Sequence, residues 1–321
     1  MAERYLLAWL DRSRTINRAS IAPIRQEMED QISVPQDQAE IDIWLDSPGG
    51  DAHAAYKLAL MVRGAASRVR VVIPDFAKSA ATLLSVAGDD IYLAPGADMG
   101  PLDAQMPDEG SVSGHISALN IARAADEAAR DAVEMAVTGG ADLLEITGLS
   151  RAQTIDAMLS FSAKFSEPLV CQLDPKVVHH AKQMLQVTAK YAERLLQETG
   201  SHEPARIAQA LVETFPTHGY AISFDEAQDL GLPVKQFVDY EHSDIVRTLL
   251  REAERGARIT TFTRLEDLLS PAPKQTAKPK AKPKAKKRKR TTGGGSNGQP
   301  KNRSGSGSKS NGARTRSLDA A

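Results

Sequence analysis

The chain has a single cysteine, few aromatic residues and no long apolar run. One cysteine excludes an intramolecular disulfide and a multi-cysteine metal cluster. It fits a reducing compartment, and Cys171, between Val170 and Gln172, reads as a packed thiol. Aromatics make up 5% of the residues against 41% hydrophobic, so aliphatic side chains must fill the core. No run approaches the roughly 18 apolar residues of a membrane span. The apolar opening is too short for a signal peptide and stops at Asp11, so a cytoplasmic protein without membrane contact is expected. Nucleotide-binding glycine patterns are also missing, Gly139-Gly140 standing alone, and no cofactor is expected. His179-His180 are neighbours on a helical stretch and project to different faces, which argues against a metal pair. Asp108-Glu109 and Asp225-Glu226 are likewise adjacent and do not suit a glycosidase site.

The near-neutral net charge of -1 conceals an asymmetry. Residues 271–321 hold 15 of the 40 Lys and Arg but one of the 41 acidic residues, so an acidic body carries a cationic tail. Residues 274–290 alternate Lys, Pro and Ala and end in a pure basic cluster; Gly, Ser and Asn follow. Such a composition is expected to be disordered. Its charge suits nonspecific nucleic acid or an acidic partner, without the interleaved aromatics that base stacking needs. A solubilising extension is the plainer use.

Within the body, apolar runs at 4–10, 41–45, 69–73 and 90–94 read as strands. Helical spacing at 21–32, 52–64 and 79–87 separates them. This alternation predicts an α/β fold with βαβ units and a mostly parallel sheet. Residues of about 115–215 read as a helical subdomain, giving a principal domain over 1–240. A helical extension over 241–270 and the tail over 271–321 complete the organisation.

Ligands on such sheets bind at the carboxyl ends of strands, and two unusual junctions fall there. Asp46-Ser47-Pro48-Gly49-Gly50 closes one strand; Ala77-Lys78-Ser79-Ala80-Ala81-Thr82 follows another. Paired glycines let backbone N–H groups approach a ligand and form an oxyanion hole. A serine on a sharp turn before a helix can be a nucleophile, or simply an N-cap.

These residues resemble the Clp/crotonase superfamily. The 78–82 segment and Met99-Gly100-Pro101-Leu102-Asp103-Ala104-Gln105 most resemble the serine dehydrogenase proteinase family, which is related to signal peptide peptidase A. Thr217-His218-Gly219-Tyr220 and the segment 226–234 also fit. The resemblance implies a serine peptidase and a homo-oligomer. It places the nucleophile at Ser79 and an oxyanion hole at Gly50 and Ala80, with Gly49 alongside. It does not supply the base. Clp peptidases carry a histidine in the stretch matching 98–105, where this chain has none. His218, His115, Lys164, Lys176 and Lys182 remain, and His218 is favoured because a neutral imidazole suits a serine base. Asp46, Asp51 and Asp103 are placed to orient a base or bind a substrate amine, or to shape turns. Lys78 is expected to point away from the nucleophile. Two other functions stay open: an acyl-CoA reaction of the crotonase kind, and a non-catalytic oligomeric scaffold whose tail binds polyanions.

Overall fold

The computed structural model describes residues 2–107 and 115–269. The expectations for the basic tail and for Asp108-Glu109 lie outside them. In chain order the elements begin with β1 (Glu3–Leu10), α1 (Arg18–Gln31), β2 (Ala39–Asp46), α2 (Ala52–Ala65) and β3 (Arg68–Ile73). There follow β4 (Phe76–Ala77), α3 (Ala80–Ser85), β5 (Asp90–Leu93), β6 (Asp98–Met99), β7 (Gln105–Pro107) and β8 (His115–Ser117). The helices α4 (Ala118–Thr147), α5 (Arg151–Val170), α6 (Pro175–Glu198), α7 (Pro204–Glu213) and α8 (Phe224–Asp229) form the next block. Then β9 (Val234–Gln236), α9 (Ser243–Glu254), β10 (Ile259–Arg264) and α10 (Leu265–Leu269) close the described chain.

The main sheet runs β10-β1-β2-β3-β5-β9. All its pairs are parallel except β1 with β10. Its central strands are mostly buried because both faces are covered. Tyr5, Leu7 and Trp9 face a core completed by Ile24 of α1, Leu58 of α2 and Leu83 of α3. Leu6, Ala8 and Leu10 face a smaller one with Trp44, Phe237, Tyr240, Val246 and Leu265. The second face also buries charge: Asp42 accepts from Arg4 at 2.6 Å, Tyr240 Oη at 2.6 Å and Arg70 at 3.2 Å. Trp44 Nε1 donates to Tyr240 Oη at 2.8 Å. Burial and the Asp42 charge push the Tyr240 hydroxyl far above the usual tyrosine range.

Several elements differ from the sequence reading. The helix expected from residue 79 begins at Ala80, with Ser79 in front of it. Residues 220–222, whose sequence suggests a short strand, form only an isolated bridge from Ile222 to Met99. The extension expected to be helical supplies α9, but also β10, an edge strand that reaches back to β1. Cys171 is exposed rather than packed; it ends α5, where the helix turns into solvent. Gly139 and Gly140 lie inside α4, against Met158 of α5, so a small residue there lets two helices approach. Among the described residues, no helix is long and apolar enough to cross a membrane.

Candidate active site

The cleft lies at the carboxyl ends of β2 and β3, where the 46–51 turn meets the β4–α3 junction. Ser47 joins the two: its N–H donates to the Phe76 carbonyl at 3.1 Å and its carbonyl accepts from Lys78 N–H at 3.1 Å. Gly49 then packs on the serine turn. A Cβ at Gly49 would stand 2.3 Å from the Lys78 carbonyl oxygen and 3.2 Å from Ser79 Cβ, and its φ is +97°. Glycine is therefore required twice over, by space and by backbone angle.

Ser79 has φ 51° and ψ -115°, and among the described residues it is the one non-glycine with positive φ. Such strain costs on the order of 1–3 kcal/mol and persists where the surroundings impose it. Thr82 helps to impose it: its Oγ1 lies 2.8 Å from the carbonyls of Ala77 and Gly100 and accepts from Gly100 N–H at 3.2 Å. Ser79 occupies the N-cap position of α3 yet makes no side-chain cap bond. The N-cap residues Ser117, Ser150 and Ser223 each accept a backbone N–H. Ser79 Oγ is thus left to face the cleft.

Gly50 and Ala80 line the cleft with Ser79. Gly49 N–H donates to Ser47 Oγ at 3.1 Å, and Ile16 bridges past Gly50 by bonding Gly49 O at 2.8 Å and Asp51 N–H at 2.7 Å. Gly50 N–H has no partner among the described residues. Ala80 opens α3, so its N–H lacks an intrahelical acceptor.

His218 lines the cleft with Ser79, Gly49, Gly50 and Ala80. Its Nδ1 lies 3.8 Å from Asp103 Oδ2. Asp103 is 1% exposed, and its Oδ1 accepts Leu119 N–H at 3.1 Å. Both His218 Nδ1 and Asp103 Oδ2 are buried atoms without a hydrogen-bond partner. Two unsatisfied complementary atoms face each other at the cleft that Ser79 also lines.

The other sequence candidates are placed elsewhere. Lys182 pairs with Asp126 at 3.6 Å, while Lys164 and Lys176 stand on α5 and α6 and do not line the cleft. His115 begins β8. Lys78 points away from the serine, toward Asp98. Asp51 caps α2 by accepting His53 N–H at 2.8 Å. Asp46 is held by Arg12 at 2.7 Å, and burial keeps its carboxyl above the usual aspartate range despite that partner. One wall went unread in the sequence: α6 turns His180, Met184, Val187 and Lys190 into the cleft, and their helical spacing was the available signal. Opposite, His53 Nδ1 lies 2.9 Å from Tyr191 Oη.

Residues 25–137 match the family described as ClpP-like SDH-type serine proteinase, so the family resemblance of the 78–82 and 99–105 segments is borne out there. An uncharacterized protein of Methanocaldococcus jannaschii is 25% identical over 210 residues, covering 65% of this chain and 58% of the relative. A second from the same organism is 32% identical over 81 residues, or 25% and 28% of the two chains. The chain thus spans less than two thirds of either relative. Solved structures of mutants of the 1510-N membrane-bound stomatin-specific protease are also similar. One is 17% identical with a TM-score of 0.41, covering 73% of this chain and 79% of the other. One in complex with a substrate peptide is 18% identical with a TM-score of 0.40, at 73% and 76%.

Proposed function

From the match of residues 25–137 to the ClpP-like SDH-type serine proteinases, we propose that this protein is an ATP-independent serine peptidase working through an acyl-enzyme. Ser79 Oγ attacks the peptide carbonyl while His218 takes its proton. Gly50 and Ala80 N–H groups hold the developing oxyanion, and Gly49 gives the close approach between them. His218 passes the proton to the leaving amine, then activates the water that releases the acyl group. Asp103 faces His218 Nδ1, fixing the tautomer that leaves Nε2 free to act and stabilising the imidazolium. At 3.8 Å the pair needs less than about 1 Å of movement to reach hydrogen-bond distance, a common looseness before substrate binds.

The observation that carries this reading is the Ser79 turn: an uncapped serine on strained backbone, packed on a glycine that cannot be replaced. Hydrolysis of a fluorogenic peptide library tests it. Ser79→Ala and His218→Ala are expected to abolish turnover with the fold retained. Acyl-CoA turnover that survives Ser79→Ala would put a crotonase-type reaction in its place.

Self-association belongs to the same proposal. On α4 and α5, Val137, Ile155, Phe161 and Phe165 are each more than half exposed. Covering them in a homo-oligomer removes an unusually apolar surface from water. Phe161→Glu with Phe165→Glu should lower the mass found by sedimentation; an unchanged mass would place the contact elsewhere.

A further inference from the structure

We infer that Lys78 is a positioning residue, the cation that holds the His218 segment in register with Ser79; the inference rests on the peptidase reading above. Lys78 adjoins the nucleophile in sequence, but its side chain runs beneath the turn. Room for it is made by Gly100, where a Cβ would stand 2.6 Å from Lys78 Cδ. The side chain is 20% exposed, and its ammonium reaches two carbonyls and a carboxylate. Nζ donates to the Tyr220 carbonyl at 3.2 Å and the Met99 carbonyl at 3.4 Å, and it pairs with Asp98. The two carbonyls take hydrogen bonds from the ammonium, while Asp98 Oδ1 keeps no hydrogen-bond partner and serves as the counter-charge.

The acceptors lie on the segments that carry the rest of the machinery. Tyr220 follows His218 by two residues, and Met99 precedes Asp103 by four. Backbone bonds already join Met99 to Ile222 at 3.0 and 2.8 Å, and Gly100 N–H to the Ala77 carbonyl at 2.8 Å. The His218 loop is therefore tied to β6, and β6 to β4. Among the described bonds, Lys78 Nζ is the direct link from the serine segment to the loop. Its charge is needed as well as its reach. Without a cation, two carbonyl dipoles and the Asp98 carboxylate converge with nothing between them. Lys78 touches neither substrate nor reacting atoms; it acts through the distance between Ser79 and His218. A displacement of about 1 Å at a reacting pair costs on the order of 100-fold in rate.

The test uses the full-length protein in a Cys171→Ser background, which removes the exposed thiol. Lys78→Cys is labelled with a fluorophosphonate probe before and after aminoethylation, which rebuilds an ammonium at nearly the same reach. The expected result is labelling of Ser79 that is about 10- to 100-fold slower in Lys78→Cys. Aminoethylation restores most of that rate, and capping by a neutral methyl disulfide restores none. Amide exchange of residues 217–222 rises in the variant and falls again on aminoethylation. Lys78→Met, which keeps an aliphatic stem, replaces the cysteine variant if circular dichroism shows that the latter unfolds. Wild-type-like labelling of either variant, or equal rescue by the neutral cap, overturns the inference and leaves the peptidase reading standing. A parent protein that takes no label at Ser79 overturns both.

Discussion

Asp103→Asn separates the chemistry of the buried carboxylate from its structural use. Asp103 makes two different contacts. Oδ1 accepts the Leu119 N–H at 3.1 Å, near the start of α4, while Oδ2 faces His218 Nδ1 at 3.8 Å. Asparagine keeps a carbonyl oxygen for Leu119, so little stability should be lost. Its NH2 group, however, cannot accept from His218 Nδ1–H, and the imidazole then settles with Nε2 protonated and unable to take the serine proton. Replacements of this kind at a serine–histidine–aspartate site cost about 10⁴ in kcat; the 3.8 Å separation argues for the lower side, about 10²–10⁴. Asp103→Ala should lose similar activity and, in addition, about 1–3 kcal/mol, because it leaves the buried Leu119 N–H unpaired. The assay is the second-order rate of fluorophosphonate labelling, with urea unfolding alongside. Asp103→Asn reacting at the wild-type rate while folded would refute the assignment of Asp103 to His218.

Gly49→Ala should abolish labelling and cost at least about 2 kcal/mol, from φ +97° and a backbone oxygen 2.3 Å from the new Cβ. Gly139→Ala meets only the flexible tip of Met158 at 2.6 Å and gains helix propensity, so melting should place it within about 1 kcal/mol of wild type. Tyr240→Phe leaves both the buried Asp42 and Trp44 Nε1 short of a partner, which urea unfolding should register as a loss of about 2 kcal/mol or more. Asp90 carries a pH signature. Burial alone would raise its carboxyl, but bonds from Arg68 and Lys235, both at 2.6 Å, outweigh it and hold the group below the usual aspartate range. Its contribution is therefore present above the unfolded value near 3.9 and lost as pH falls through the depressed folded value. The melting advantage of wild type over Asp90→Asn should be full at neutral pH and vanish in acid.

The strands of the sheet interior were legible because a sheet covered on both faces writes itself as mainly apolar runs, here broken only by charges such as Asp42 and Arg70 that pair with each other. The edges were not. Val234–Gln236 is too short and too exposed to stand out, and Ile259–Arg264 is rich in threonine and packs from one side. The approach of Gly49 to Ser79 could be anticipated because close backbone contact demands small residues in both segments. The facing of His218 and Asp103 could not, since it depends on how the long α4–α7 block returns the chain to the cleft. Lys78 shows the limit from another side. Its direction, away from the serine, followed from its position, but its three partners come from two other segments. Cys171 misled because its apolar neighbours in sequence belong to an exposed helix end.

The central claim is that Ser79 is an activated nucleophile. Labelling of the purified protein with a fluorophosphonate probe, followed by mass-spectrometric mapping of the adduct, tests it most directly. The expected result is one adduct per chain, on Ser79, absent from Ser79→Ala and strongly slowed in His218→Ala, with circular dichroism unchanged. A folded protein that takes no probe, or carries it on another serine at undiminished rate in Ser79→Ala, would contradict it.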